Sequence, residues 1–222
     1  MKIAVYTCIT GGYDSVKNIS TQNNTDIDFI CFTDNPNNDF KPSNWTFRNI
    51  PQDLIQLSKV KQQRLIKILP HKYLSEYDIS LWIDGNIEII GDIYEFIKQY
   101  DLNKYSLFTR KHPGRKCIYE EARAVLNLKK DTKETVECQL CKYREQGFPP
   151  NFGLEETNVI LRNHKDVNCK MLCNMWAKEI VSGSHRDQLS FDYCRWKNDF
   201  KIGYLDAPNL MKNKYFRLER HG

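Results

Sequence analysis

The chain has 222 residues, of which 41% are hydrophobic and 27% charged, and its formal net charge is +5 at pH 7. This balance is typical of one globular domain, and the lack of any run of about 18 apolar residues excludes a membrane-spanning helix. The basic residues are spread along the chain among acidic ones. Such a charge suits anionic small molecules or a peripheral contact with a membrane surface, and it does not indicate nucleic-acid binding.

The amino terminus and the eight cysteines bear on the cellular compartment. Met1 leads directly into strand-like residues, without the charged and apolar regions of a secretory signal. We therefore expect a cytoplasmic protein, or one at the inner face of the membrane, with reduced thiols rather than four disulfides.

Two cysteine pairs lie at one-turn spacing on predicted helices. Each pair can share a helix face, so the four thiols could bind zinc together or could simply pack in the core. The pairs are Cys138 with Cys141 and Cys169 with Cys173.

Strand-like and helix-like segments alternate over residues 1–110. The predicted strands are residues 2–9, 28–34, 45–50, 79–83 and 106–110, and the predicted helices are residues 59–69 and 91–100. Ser58 can cap the first of these helices, and Pro70 ends it.

The second half of the chain adds a helix-rich stretch, after which predicted strands and helices alternate again. The predicted helices are residues 117–128, 132–146, 165–181 and one starting at His185, and the predicted strands are residues 157–162 and 201–205, followed by a polar tail. The pattern predicts a single α/β domain over residues 1–222, with a mainly parallel sheet flanked by helices. Residues 111–150 form a helical insertion between residues 1–110 and 151–222.

Asp84, Gly85 and Asn86 directly follow the most apolar predicted strand, residues 79–83. Open α/β sheets place ligands at the carboxyl ends of their strands, whereas Asp-Gly is also a strong hairpin signal. The residues alone leave both interpretations open. Two oxygen-bearing side chains one residue apart suit Mg²⁺ or Mn²⁺, which is commonly held by one or two protein groups plus phosphates.

Two other segments carry charges that suit a reaction centre. The helix before Asp84 bears Lys59, Lys61 and Arg64, which could neutralise a diphosphate or form a solvated face. Asp187 could be a first-turn acid that the helix dipole favours. Alternatively, Asp187 and Gln188 could face a reacting centre, with the Asp187 carboxylate as general base or charge stabiliser.

In chain order, the basic helix, the strand with its Asp-x-Asn ending and the late Asp-Gln resemble the donor half of GT-A glycosyltransferases. A narrower resemblance rests on Tyr6-Thr7, Thr10-Gly11-Gly12-Tyr13-Asp14, Cys31-Phe32-Thr33-Asp34, Trp82-Ile83-Asp84-Gly85-Asn86, His112-Pro113, Tyr119-Glu120-Glu121-Ala122 and Arg186-Asp187-Gln188-Leu189-Ser190-Phe191. These segments are similar to a glycosyltransferase-like family long catalogued as a domain of unknown function, which occurs in bacterial polysaccharide loci and in plant Golgi proteins.

The resemblance implies a GT-A-like, Rossmann-like fold and transfer from a nucleotide-diphosphate sugar to a glycan or lipid-linked acceptor in surface polysaccharide synthesis. The donor-binding residues implied are Thr7, Thr10, Gly11, Tyr13, Asp14, Asp34, Lys59, Arg64, Asp84, Thr157 and Asn158. The catalytic residues implied are Asp187 and Gln188, beside the transferred sugar. The acceptor-side residues implied are Arg110, His112, Glu120 and Glu121, and the metal ligands are Asp84, Asn86 and His221.

This sequence departs from the family pattern at the metal motif. Asn86 stands in place of an acid, which predicts weaker metal binding, and His221 is the one late histidine near the end of the chain. Two alternatives are a sugar nucleotidyltransferase, for which the loop at residues 10–17 offers only Lys17, and a non-catalytic binding module stapled by zinc. Retention and inversion of the anomeric configuration both stay open.

Overall fold

The computed structural model of the chain describes residues 1–20, 22–24, 26–36, 42, 44–205 and 213–219. The strands are β1 (Ile3–Ile9), β2 (Ile27–Thr33), β3 (Thr46–Asn49), β4 (Ile79–Ile83), β5 (Ile87–Ile89), β6 (Leu107–Lys111), β7 (Glu155–Asn163), β8 (Gly203–Tyr204) and β9 (Phe216–Leu218). The helices are α1 (Lys59–Ile68), α2 (Pro70–Tyr73), α3 (Ile93–Ile97), α4 (Ile118–Asn127), α5 (Lys133–Glu145), α6 (Val167–Ser182) and α7 (Gln188–Lys197), with a short 3₁₀ helix at Gln52–Leu54.

A seven-stranded sheet in the order β3-β2-β1-β4-β7-β6-β8 forms the centre of the described chain. The pairs β3-β2, β2-β1, β1-β4 and β6-β8 are parallel, while β7 runs antiparallel to both β4 and β6. The predicted α/β fold with a mainly parallel sheet and flanking helices is therefore confirmed. The polar residues after β1, β2 and β4 meet at one edge of this sheet, because parallel strands end on the same side.

The central strand β4 is buried along its whole length, as its apolar sequence predicts. Its side chains alternate between two cores: Leu81 and Ile83 pack on one face of the sheet, and Trp82 packs on the other. The hairpin interpretation of Asp84-Gly85 is wrong, because β5 pairs with β9 and not with β4. The end of β4 thus opens onto the edge of the sheet.

A fully buried arginine fixes the carboxyl end of α1. Arg162 on β7 donates from Nη2 to the carbonyl of Lys67 (2.6 Å) and to the Tyr6 hydroxyl (2.7 Å), and from Nη1 to the carbonyl of Ile68 (3.3 Å). Ser80 lies opposite Arg162 on β4, and its small side chain leaves room for the guanidinium. Carbonyls that a helix leaves unpaired at its end are satisfied here by a cation, which also suits the helix dipole.

Several predicted boundaries shift. The predicted helix at residues 91–100 is regular only over Ile93–Ile97, and the one predicted from His185 begins at Gln188. The polar tail is not wholly irregular, because β9 forms within it and pairs with β5. No helix in the described ranges is long and apolar enough to cross a bilayer.

The predicted helical insertion at residues 111–150 contains α4 and α5. Val125 and Val136 from these helices pack in the same core as Trp82 of β4 and Trp176 of α6. The insertion is therefore integral to the core on one face of the sheet.

Candidate active site

A buried lysine lies at the centre of the site. Lys67, in the last turn of α1, is 2% exposed at its side chain, and its Nζ is 2.6 Å from Asp187 Oδ2 and 3.5 Å from Asp84 Oδ1. It also donates to Thr157 Oγ1 at 3.2 Å and lies 5.6 Å from the centre of the Trp82 ring. One ammonium thus joins the end of β4, the start of β7 and the start of α7.

Asp187 is the anion of this centre rather than a helix cap. It precedes α7, but its side chain makes no capping hydrogen bond. Its carboxylate accepts from Thr157 Oγ1 (2.9 Å) and lies 3.6 Å from Arg64 Nε. Burial alone would raise the pKa of Asp187, but the charges of Arg64 and Lys67 outweigh burial and hold that pKa well below its ordinary value. Asp187 therefore stays ionised.

Asp84 lies at the end of β4, as predicted, with its side chain 30% exposed. Its Oδ1 accepts from Trp82 Nε1 at 2.8 Å, and its backbone N–H donates to the carbonyl of Asn158 at 2.9 Å. A Cβ added to the next residue, Gly85, would lie 3.1 Å from Cγ1 of Ile9. The absence of a side chain at Gly85 therefore lets the end of β1 approach the Asp84 turn.

Asn86 is buried and joins the site to the carboxyl-terminal strand. Its Nδ2 donates to the carbonyl of Glu219 at 3.1 Å, and its own carbonyl accepts from the N–H of Glu219 at 2.8 Å. His221, the third predicted metal ligand, lies outside the described residues. Asn86 thus fixes the segment after β9 against the end of β4.

The fit of a divalent metal depends on Asp84. Within the described ranges, the Asp84 carboxylate accepts its hydrogen bonds at Oδ1, and no group of three or more histidine, cysteine or acidic side chains could hold a metal ion. The Asp84 carboxylate is the kind of oxygen ligand that Mg²⁺ combines with water and phosphate, whereas the Asn86 side chain bonds the carbonyl of Glu219. The Lys67 ammonium already offsets part of the charge of Asp84.

The loop after β1 is tied to the end of β2 and the start of α1. Gly11 and Gly12 have φ of +66° and +65°, in the left-handed region that glycine tolerates. The N–H of Gly11 donates to Asp34 Oδ2 (3.0 Å), which Lys59 Nζ approaches to 2.9 Å, and Thr10 Oγ1 donates to the carbonyl of Lys59 (2.9 Å). Burial would raise the pKa of Asp34, but the bonds from Lys59 and Gly11 lower it. These predicted donor residues therefore lie together.

Three further predicted donor residues differ in their exposure to solvent. Tyr13 is 72% exposed, whereas Thr7 is buried inside β1. Asp14 lies beside the Asp84 turn, since a Cβ on Gly85 would be 3.6 Å from the Asp14 Cβ. Only Tyr13 and Asp14 of these three are placed to meet a ligand outside the sheet.

The predicted acceptor residues divide into two groups. Arg110 Nη1 lies 3.0 Å from Glu156 Oε2, near the centre. His112 accepts from the N–H of Arg115, whose Nε lies 2.6 Å from Glu121 Oε2. Glu120 accepts from the N–H of Lys116 at 3.3 Å. His112, Glu120 and Glu121 thus stabilise a turn, while Arg110 pairs with Glu156 on β7.

The four cysteines of the zinc alternative are not brought together. Cys138 and Cys141 are exposed on α5, whereas Cys169 and Cys173 are buried in α6, and all four are free thiols. Cys173 Sγ lies 3.8 Å from Arg162 Nη1. The buried pair belongs to the core.

Sequence reasoning missed Lys67 and Glu156 as site residues. Lys67 falls among apolar residues in the last turn of α1, three positions after Arg64, so the two cations share a helix face. That spacing, immediately before the strand ending in Asp84, was the available signal. For Glu156, the one sequence signal was its position next to Thr157, a predicted donor-binding residue.

Comparison with known proteins identifies the class. The fold is similar to that of the apo structure of the bifunctional glycosyltransferase WbbM, with a TM-score of 0.52 and 10% identity over 93% of this chain and 39% of that one. The likeness shows an α/β fold shared with a glycosyltransferase. The chain belongs to the TOD1/MUCI70 glycosyltransferase-like domain family, whose model matches residues 1–211.

A curated plant relative gives a more specific comparison. "Probable hexosyltransferase MUCI70" of Arabidopsis thaliana is 28% identical over 170 residues, which cover 69% of this chain. The match spans only 29% of the length of that relative.

Proposed function

We propose that this chain transfers a hexosyl group from a nucleotide-diphosphate sugar to a glycan or lipid-linked acceptor in surface polysaccharide synthesis. Membership of a glycosyltransferase-like family and the name of the plant relative support glycosyl transfer. The observation that carries the proposal is the ammonium of Lys67, held between the carboxylates of Asp84 and Asp187. Fixed charges of this kind stabilise a reaction in which a diphosphate leaves.

The basic side chains of α1 would act on the leaving group. Arg64 and Lys67 lie on one side of the centre and would offset the negative charge that develops on the diphosphate. Asp187 would orient both cations, since it contacts each of them. It is a weak base because its pKa is low, so in this proposal it positions charge rather than removing a proton.

Gln188 would lie beside the transferred sugar. Its Nε2 donates to the carbonyl of Glu155 at 3.1 Å, which fixes the orientation of the side-chain amide. The amide oxygen would then accept from a sugar hydroxyl. The loop at residues 10–14 and Asp34 would bind the nucleoside, since they lie together at the ends of β1 and β2.

A divalent ion, Mg²⁺ or Mn²⁺, would be held by Asp84 and Asn86 and would supply further charge neutralisation to the diphosphate. Because Lys67 already supplies one positive charge there, we propose that the requirement for metal is partial. The net charge of +5 suits a site of action at the inner, cytoplasmic face of a membrane, where lipid-linked acceptors are found.

Calorimetry with UDP, GDP, ADP and CDP, with and without Mg²⁺ or Mn²⁺, tests the donor site. We expect one nucleoside diphosphate to bind, and Asp84→Ala to weaken that binding at least tenfold in the presence of metal. The matched control is Glu137→Gln, which should bind like wild type. Glu137 is an exposed acid on α5 that lies 3.7 Å from Lys133. A wild-type protein that binds none of the four would refute the proposal.

A further inference from the structure

Glu156 lies at the same edge of the sheet as Asp84. The carbonyl of Asn158 on β7 accepts from the N–H of Asp84, and Glu156 is two residues earlier on the same strand. The pairing of β7 with β6 shifts between Phe108 and Arg110, and beyond the shift Arg110 lies opposite Glu156. The pairing of β4 with β7 places Glu156 just beyond the end of β4, and the pairing of β6 with β7 places Arg110 beside it.

Glu156 points away from the buried centre. Successive side chains of a strand face opposite sides of the sheet, and the next residue, Thr157, is buried against Lys67 and Asp187. Glu156 and Asn158 are only half-buried, whereas Glu155 and Thr157 are buried. Glu156 is therefore half-buried and points across the strand from the cations that would bind the diphosphate.

The surroundings of Glu156 differ from those of the other acids at this edge. Asp187 is buried against two cations, whereas the carboxylate of Glu156 is 26% exposed and pairs with Arg110 at 3.0 Å. Burial raises the pKa of Glu156, and the charge of Asp84 adds to this, while Arg110, Asn158 and Lys67 oppose it. Of these two acids, only Glu156 combines access to a ligand with appreciable basicity.

We propose that Glu156 is the catalytic base that takes the proton from the acceptor hydroxyl, with Arg110 orienting its carboxylate. This inference rests on the proposed glycosyl transfer. The acceptor oxygen forms a bond to the anomeric carbon while the bond from that carbon to the diphosphate oxygen breaks. The electron pair of the broken bond leaves with the diphosphate, and the hydroxyl proton passes to Glu156. Base and leaving group on opposite sides of the carbon give inversion of its configuration.

The test uses the full chain and the hexose conjugate of whichever nucleoside diphosphate the wild type binds. Release of that nucleoside diphosphate is followed with water as the acceptor, and binding is measured by calorimetry. We expect Glu156→Gln and Glu156→Ala to lower the release rate about 10²–10⁴-fold with nucleotide affinity within about twofold of wild type. Glu137→Gln on α5 serves as the matched control, with a wild-type rate.

Sodium azide separates a base from a merely structural acid. Azide is a nucleophile without a proton to lose, so it should restore release in Glu156→Ala and form a glycosyl azide whose anomeric configuration, read by NMR, is opposite to that of the donor. A Glu156→Ala protein that binds nucleotide but is not restored by azide would overturn the proposal. So would a product that retains the configuration. Failure of the wild type to bind any nucleoside diphosphate is a different result, which refutes the donor site itself.

Discussion

Replacing Lys67 by methionine removes the ammonium at the centre while leaving a side chain of similar length. Asp187 then remains buried with Arg64 Nε at 3.6 Å and the Thr157 hydroxyl as its partners. Removing one member of a buried ion pair costs about 3–5 kcal/mol. Because Arg64 still offsets part of the charge, we expect the lower end, about 3 kcal/mol, and a melting temperature lower by about 6–12 °C for a domain of this size.

The assay is urea unfolding at pH 7, followed by tryptophan fluorescence, for Lys67→Met, Asp187→Asn and the double variant. Neutralising both partners removes the uncompensated charge, so the double variant should be more stable than the sum of the single effects predicts, by about 2–3 kcal/mol. The low pKa of Asp187 means that its stabilising contribution is present above pH about 4 and is lost as pH falls further. A cost below about 1 kcal/mol for Lys67→Met, or simple additivity, would refute this account of the centre.

Two further predictions concern stability away from Lys67. Gly91→Ala would place a Cβ 2.5 Å from the backbone oxygen of Lys214, so it should cost about 2 kcal/mol or more in urea unfolding. Gly114→Ala, with its nearest atom at 3.9 Å, should stay within about 0.5 kcal/mol of wild type. Equal effects would contradict the close approach of the residues just before β9 to Gly91. Burial lowers the pKa of His164 to about 4 although its Nε2 bonds the carbonyl of Tyr77. Stability should therefore fall by up to about 3 kcal/mol as pH drops from 6.5 to 4, and His164→Gln should flatten that part of the pH profile; an unchanged slope would argue against a buried, neutral His164.

The features that sequence could predict are local ones. The run Ile79–Ile83 is apolar at every position but one, which indicates a buried strand whatever surrounds it. Ser58 accepts from the N–H of Lys61 as a helix cap, as its position before α1 predicts. The position of Asp84 after its strand follows from these local signals together.

The spacing of Lys67 from Arg64 is a local signal, but the burial of Lys67 depends on contacts that no local pattern contains. Lysine is rarely buried without a partner, and one partner here, Asp187, lies 120 positions further along the chain. Helical periodicity therefore places Lys67 with the solvated charges of α1. Its burial follows only from the packing of α1 against the rest of the fold.

The strand β9 was missed for a related reason. Phe216–Leu218 contains a charged residue between two apolar ones and follows a polar segment, so composition favours an irregular tail. Its pairing with β5 joins residues about 130 positions apart. Such pairing is decided by the tertiary fold rather than by intrinsic propensity.

The buried Arg162 has a consequence for how the chain folds. Its hydrogen bonds to Tyr6, Lys67 and Ile68 span 156, 95 and 94 positions, and the loops that they close must lose entropy before the contacts form. The last turn of α1, which presents Lys67, therefore gains its guanidinium partner only when β7 has joined the sheet. A fragment of residues 1–110 would therefore keep the donor-side sequence yet lack an ordered centre, because the first half of the chain acquires its geometry from the second.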